Sequence, residues 1–320
     1  MRRRTLLQGA VATSAAAIAA SALAEESAAS NLDQGDSNEM LSWQVGRVKI
    51  TRIVEMDLPV PAEYMQGATP TELRKMPWLY PHFVSDDDST LNMSVHALLV
   101  EAPGMRLVVD TCVGNDRPRE ITGGEPMSTP FLEHLSEVGW SRDSVDAVVC
   151  THLHVDHVGW NTMLENGKWI PTFPKARYLI GRAEYEFMRG VDDAEQQAML
   201  GDSIAPILEA GLVELVEQDH VISPEIRLTP SIGHTPGHVS VLIESESQRA
   251  AITGDICHHP CQIAHPDWAL GDYDPKAAVL TRARLFALWA DQPILVIGTH
   301  FAAPTAGHIL SDGQTLRFEA

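Results

Sequence analysis

Positive charge is scarce in this chain: 23 lysines and arginines stand against 43 aspartates and glutamates, a formal net charge of −20. So acidic a surface repels polyphosphates, which excludes nucleic acid as an expected partner and disfavours stable association with anionic membranes. Cysteine is sparse too. The four present, Cys112, Cys150, Cys257 and Cys261, are no disulfide scaffold for 320 residues. Cys150 ends an apolar run and reads as an inert packing residue. Cys257 and Cys261 flank a histidine-rich turn, and the sequence leaves open whether they pair. Helical repeats, low-complexity tracts and internal linkers are absent, which excludes a solenoid.

What is present begins with an address. "MRRRTLLQGAVATSAAAIAASALAEE" carries Arg2, Arg3 and Arg4, a weakly apolar alanine-rich stretch, and Ala22-Leu23-Ala24 as a small-x-small cleavage site. Residues 1–24 therefore read as a twin-arginine signal, residues 25–42 as a flexible leader, and 43–320 as one folded domain. A membrane helix is the weaker reading, because the stretch is short and rich in Ala and Ser. The expected location is the periplasm, reached as folded cargo. Removing 1–24 takes away three arginines and no acids, so the mature chain is more acidic still.

Beyond the leader, apolar runs alternate with amphipathic stretches. "VHALLVEA" and "MRLVVDT" read as strands joined at Pro103-Gly104, and "DAVVC" and "ARYLIG" as further strands. "IRLTPS", "VSVLIES", "RAAITGD" and "PILVIGTH" complete the strand set. "PFLEHLSEVGW", "RAEYEFMRG", "EQQAMLGDSIAPILEAG" and "PKAAVLTRARLFALWA" have helical spacing. Strands and helices mix in both halves, which predicts an α/β sandwich with sheets inside and helices outside.

The chemistry sits at strand ends. "THLHVDHVGW" places His152, His154, Asp156 and His157 directly after the buried run "DAVVC". Imidazoles left unpaired in a buried strand would cost about 1–3 kcal/mol each, so the strand must stop and the loop must aim them somewhere. Three more stretches repeat the pattern: His234 in "SIGHTPGH", Asp255 in "AITGDICHH" and His300 in "VIGTH". Imidazole nitrogen and carboxylate oxygen are ligands for a borderline metal. His152, His154 and His234 would hold one ion, Asp156, His157 and His300 a second, with Asp255 bridging. Two such ions activate a shared water for hydrolysis, and no Ser, Cys or Lys nucleophile is needed.

The ordered set "THLHVDHVG", "GHTPGH", "GD" and "GTH" resembles the metallo-β-lactamase superfamily from about Trp43 to the C-terminus. The resemblance implies a four-layer αββα sandwich with its metals at one edge of the two sheets. It implies two divalent ions, zinc first and cobalt, manganese or iron as alternatives, with Asp156 and Asp255 in catalytic positions. It also gives Asp110 in "VVDT" the task of orienting a ligand histidine, leaves His238 structural, and makes a homodimer an expectation. Within the superfamily, Asp255 argues against a true β-lactamase, and a tail offering only Arg317 argues against a glutathione thioesterase of the glyoxalase II kind. A single-iron dioxygenase of the same fold is the other alternative.

The methyl parathion hydrolase and N-acyl-homoserine lactonase groups are most similar, pointing to a small neutral lactone or ester, and to phosphotriesters as further substrates. Lactonases place a tyrosine three residues after the bridging aspartate. Here His258 occupies that place and is a candidate catalytic group, with His259 beside it. The stretch from Tyr64 to Phe83 reads equally as a lid lined by Met65, Met76, Trp78, Leu79 and Phe83, or as a loop packed on the sandwich or a dimer contact.

Overall fold

Every position of the segment Ala147–Cys150 is buried, a pattern that needs both faces of a sheet to be covered. The structure, a computed structural model describing residues 40–320, supplies that cover. The expected signal, and the leader up to residue 39, lie outside the described residues.

The first half of the chain contributes β1 (Ser42–Val45), β2 (Val48–Pro61), β3 (Thr90–Ala102), β4 (Met105–Val109), β5 (Ala147–Cys150), β6 (Thr162–Glu165), β7 (Lys168–Pro171), β8 (Arg177–Gly181) and β9 (Val213–Val216). The second half contributes β10 (Ile226–Pro230), β11 (Val239–Ser245), β12 (Gln248–Ile252), β13 (Ile294–Ile297), β14 (Ala306–Asp312) and β15 (Thr315–Glu319). One seven-stranded sheet runs β1-β2-β3-β4-β5-β8-β9, and a six-stranded sheet runs β10 to β15 in order. β6 and β7 form a separate hairpin. Strands β4, β5, β8 and β9 are mutually parallel, as are β12 and β13, and the remaining pairs in both sheets are antiparallel.

Alternation along each strand sorts side chains between two cores. Leu98, Val100, Leu107, Val109, Ala147 and Val149 meet Val241, Ile243, Ala250, Ile252 and Ile297 between the sheets. Their neighbours Leu99, Val108, Val148, Ala251 and Val296 join the larger cluster under the helices. Phe131 and Leu135 come to that cluster from the helix Phe131–Glu137, and Leu285, Phe286 and Trp289 from the helix Pro275–Trp289. Each such side chain contributes about 1.5–3 kcal/mol by leaving water. The result is the expected αββα sandwich.

Three details differ from the sequence reading or settle it. The 64–83 segment is packed against the body: Met65, Met76, Leu79 and Phe83 are buried, Trp78 is half-buried, and Phe83 meets Phe301 and Phe318 edge-on. Its apolar residues find partners in the sandwich, which favours the packed-loop reading. All four cysteines are free and buried, so Cys257 and Cys261 do not pair. The long predicted helix after Asp193 is interrupted by a π-helical turn, Leu200–Ile204, between Ala194–Met199 and Ala205–Glu209, where Gly201 and Pro206 weaken regular pairing.

Candidate metal centre

Strand β5 stops at Cys150 because Asp110 takes over the hydrogen bonding of the next residue. Asp110 sits in the left-handed region at φ 56°, and its carboxylate accepts from Thr151 N at 2.7 Å and Thr151 Oγ1 at 2.8 Å. The same carboxylate receives His157 Nδ1–H at 2.9 Å, which aims Nε2 inward. Val239 N–H donates to Thr151 O at 3.0 Å and ties the second sheet to this turn.

The second sheet brings the remaining groups. His234 is reached through a loop in which Gly233 and Gly237 are required by close approach: a Cβ at Gly233 would lie 2.3 Å from Ala278 Cα, and one at Gly237 2.2 Å from Glu184 N. Asp255 follows β12, where its N–H donates to His238 Nε2 at 2.8 Å and its Oδ1 accepts from Thr299 Oγ1 at 3.0 Å. His300 follows β13 and donates from Nδ1 to Ser94 O at 3.0 Å.

Two donor sets result. His152, His154, His234 and Asp255 form one, Asp156, His157 and His300 the other, with the donor atoms of each set within 4.8 Å of one another. His154 Nδ1 stands 3.0 Å from His152 Nε2 and 2.9 Å from His234 Nε2. One imidazole nitrogen cannot satisfy two others through a proton on each. Nitrogens converging this closely instead suit a shared zinc-like ion, whose ligands, each about 2.1 Å from it, would spread to about 3.4 Å apart. Asp255 Oδ2 lies 3.1 Å from His157 Nε2, 3.2 Å from His300 Nε2, and 3.6 Å from both His152 Nε2 and His234 Nε2. One carboxylate oxygen therefore faces both sets. The residues present fit a pair of divalent cations.

Electrostatics agree with that fit. Burial, reinforced by neighbouring imidazoles, holds His152 and His154 well below the usual histidine range, so their lone pairs are free to bind metal. Burial acts the same way on His157 and His300, but Asp255 and Asp156 outweigh it and raise both. Burial would push the Asp255 carboxyl up; His157, His300, His258 and His152 reverse this and hold it well below its ordinary value. The carboxylates thus gather positive charge at the centre, in protons or in metal.

Of the other candidates, His238 is structural, bonded to Ser231 Oγ at 2.8 Å through Nδ1. His259 is too, donating from Nε2 to Phe83 O at 2.7 Å. His258 differs. It is 1 % exposed, neither ring nitrogen has a hydrogen-bond partner among the described residues, and Nε2 stands 3.4 Å from Asp255 Oδ2 with the ring parallel to that of His300.

Of the buried acids that escaped the sequence reading, three bear on the loops around the centre. Glu55 occupies a β-bulge of β2 between Val54 and Met56, which turns its side chain inward to accept from Val113 N, Gly114 N, Thr129 Oγ1 and Trp160 Nε1. Glu184, in the helix Arg182–Met188, accepts from Leu153 N, Thr235 Oγ1 and Gly237 N. Asp272 pairs with Arg282, both side chains being fully buried, and stands 3.6 Å from His234 Nδ1. Nothing in a single sequence distinguishes such acids from surface ones.

In fold, the chain is similar to the dizinc quorum-quenching lactonase AidC, solved in complex with a product (TM-score 0.72, 18% identity, 89% of this chain and 98% of that one). It is equally similar to AbOPH, described as a hydrolase in the beta lactamase superfamily (TM-score 0.72, 24% identity, 87% and 96%). In sequence, it is 25% identical over 221 residues to an N-acyl homoserine lactonase of Bacillus cereus, covering 65% of this chain and 82% of that protein. A second N-acyl homoserine lactonase, from a Bacillus species, is 33% identical over 165 residues, 51% of this chain and 59% of that protein. Residues 92–312 match the family described as the metallo-beta-lactamase superfamily, and with the sandwich and paired donor sets in place the chain belongs to it.

Proposed function

We propose that this chain is an exported two-metal hydrolase that opens a small neutral lactone, with phosphotriester cleavage as an accompanying activity. The observation that carries the reading is the position of Asp255 Oδ2, within 3.6 Å of four imidazole nitrogens drawn from both donor sets. The N-acyl homoserine lactonases among its relatives support a lactone, and the net charge of −20 favours a neutral substrate over an anion. The grouping of Asp156 with His157 and His300 supports two ions over a single iron.

His152, His154 and His234 would hold one ion and Asp156, His157 and His300 the other, with Asp255 between them. When bound, the pair would supply Lewis acidity at the carbonyl oxygen and a water of lowered pKa. The chain's own part is orientation. Asp110 and Ser94 O fix the rings of His157 and His300, and Thr299 fixes Asp255. His258 offers an unpaired imidazole next to Asp255, from which an N–H can bond the leaving oxygen as the ring opens.

The test is a matched panel on the chain from Glu25 loaded with zinc: acyl-homoserine lactones, a δ-lactone, an aryl phosphotriester, a thioester and a β-lactam. Lactones should turn over fastest, and His258→Asn should lower their kcat by about tenfold to a hundredfold with metal content unchanged. The aryl phosphotriester, whose leaving group needs no proton, should lose much less. A flat panel, or a thioester or β-lactam in first place, would overturn the lactonase reading; an unchanged kcat would remove His258 from the chemistry.

A further inference from the structure

The two donor sets are built by different supports. His157 is oriented by Asp110, and His300 by Ser94 O, both on the side of the centre formed by β3 and β4. The other set has its own clamp. Glu184, 1 % exposed, reaches from the first turn of the helix Arg182–Met188 into the gap between the loop after β5 and the loop before β11. Its Oε1 accepts from Leu153 N at 3.0 Å, the peptide between His152 and His154. Its Oε2 accepts from Thr235 Oγ1 at 2.7 Å and Gly237 N at 3.0 Å, immediately after His234. Gln196 closes the other side of Leu153, donating to its carbonyl at 3.1 Å.

One carboxylate thus joins two ligand loops that lie far apart in sequence and come from different sheets. Two of its three partners, Leu153 and Thr235, adjoin residues of the His152–His154–His234 set, Gly237 lies three positions after His234, and none adjoins Asp156, His157 or His300. We propose that Glu184 is a positioning residue that sets the affinity of this one metal position, acting through the backbone of Leu153 and through Thr235 and Gly237. The inference rests on the two-metal reading above, but not on the substrate. Replacing the carboxylate by an amide leaves only one oxygen for donors on two sides, and turns N–H groups toward a backbone N–H that cannot accept. Outer supports of this kind change metal affinity by about 10–100-fold.

The measurement is metal binding, not turnover: zinc titration of the metal-free full chain against a competing chelator. Native protein should bind two ions; a single binding step there would overturn the two-metal reading itself. Glu184→Gln should keep one tight ion and bind the other about 10–100-fold more weakly. Asp156→Asn, which weakens the opposite position, should also keep one tight ion, and the double variant should keep none. Glu184→Asp, with the charge but a shorter reach, should lie between native and Gln. Two tight ions in Glu184→Gln, or equal loss at both positions, would overturn the proposal. Should Glu184→Gln not fold, Thr235→Val decides in its place, since it removes one donor beside His234: selective weakening supports the clamp, and two unchanged ions overturn it.

Discussion

Asp255→Asn should lower kcat on the best lactone by about a thousandfold while the chain still folds. The size follows from where the charge sits. Oδ2 faces both donor sets, 3.1 Å from His157 Nε2, 3.2 Å from His300 Nε2, and 3.6 Å from His152 Nε2 and His234 Nε2. An amide keeps the shape and the Thr299 contact but removes the negative charge that would offset two cations bound on either side. A loss of about 4 kcal/mol in transition-state stabilisation is about a thousandfold in rate. Steady-state kinetics with elemental analysis of the same samples separates the causes. At least one ion should remain, held by the ligands that are untouched. A kcat within tenfold of native would show that Asp255 does not bridge, and the proposed mechanism would go with it.

The second large effect is on stability. Asp272→Ala should cost about 3–5 kcal/mol, because it leaves the Arg282 guanidinium buried without its counter-charge. Arg282 is fully buried, bonds Asp272 Oδ2 at 2.8 Å, and reaches Pro266 O at 2.7 Å and Ile256 O at 3.3 Å. Its side chain links the helix Pro275–Trp289 to the segment that follows Asp255. Urea unfolding of metal-free native and variant chains reads the loss without a contribution from bound ions. Replacing both partners, Asp272→Leu with Arg282→Met, should recover part of it, since the charge is gone but the Ile256 and Pro266 carbonyls remain unpaired. A change below about 1 kcal/mol for Asp272→Ala would mean that water reaches the guanidinium after all.

The layering and the seven metal-ligand candidates were readable because each rests on a local pattern. "DAVVC" and "ILVI" are continuous apolar runs, and the ligand types recur where such runs end. Strand β2, "VKITRIVEMDLPVP", was not readable: polar residues and prolines interrupt it, and its stability comes from twelve paired positions along β3. The hairpin β6–β7 and the closing pair β14–β15 are half-exposed and carry weak patterns for the same reason. The lid reading of 64–83 was a question of which partner meets the methionines and aromatics, and only Phe301 and Phe318, more than 200 positions downstream, answer it. Glu55 and Glu184 are the deeper lesson. Their importance lies in backbone N–H groups that converge on them, and no residue spacing encodes that convergence.

The chain completes its first sheet at β9 before it begins the second at β10. The first half carries His152, His154, Asp156 and His157, the second half His234, Asp255 and His300, and each donor set takes members from both. Either ion, when bound, would therefore act as a rivet between two plates. No fragment cut between β9 and β10 owns a whole donor set: one set waits for Asp255 after β12, and the other for His300 after β13. Metal capture would then follow the docking of the two sheets, and separating them would break both donor sets.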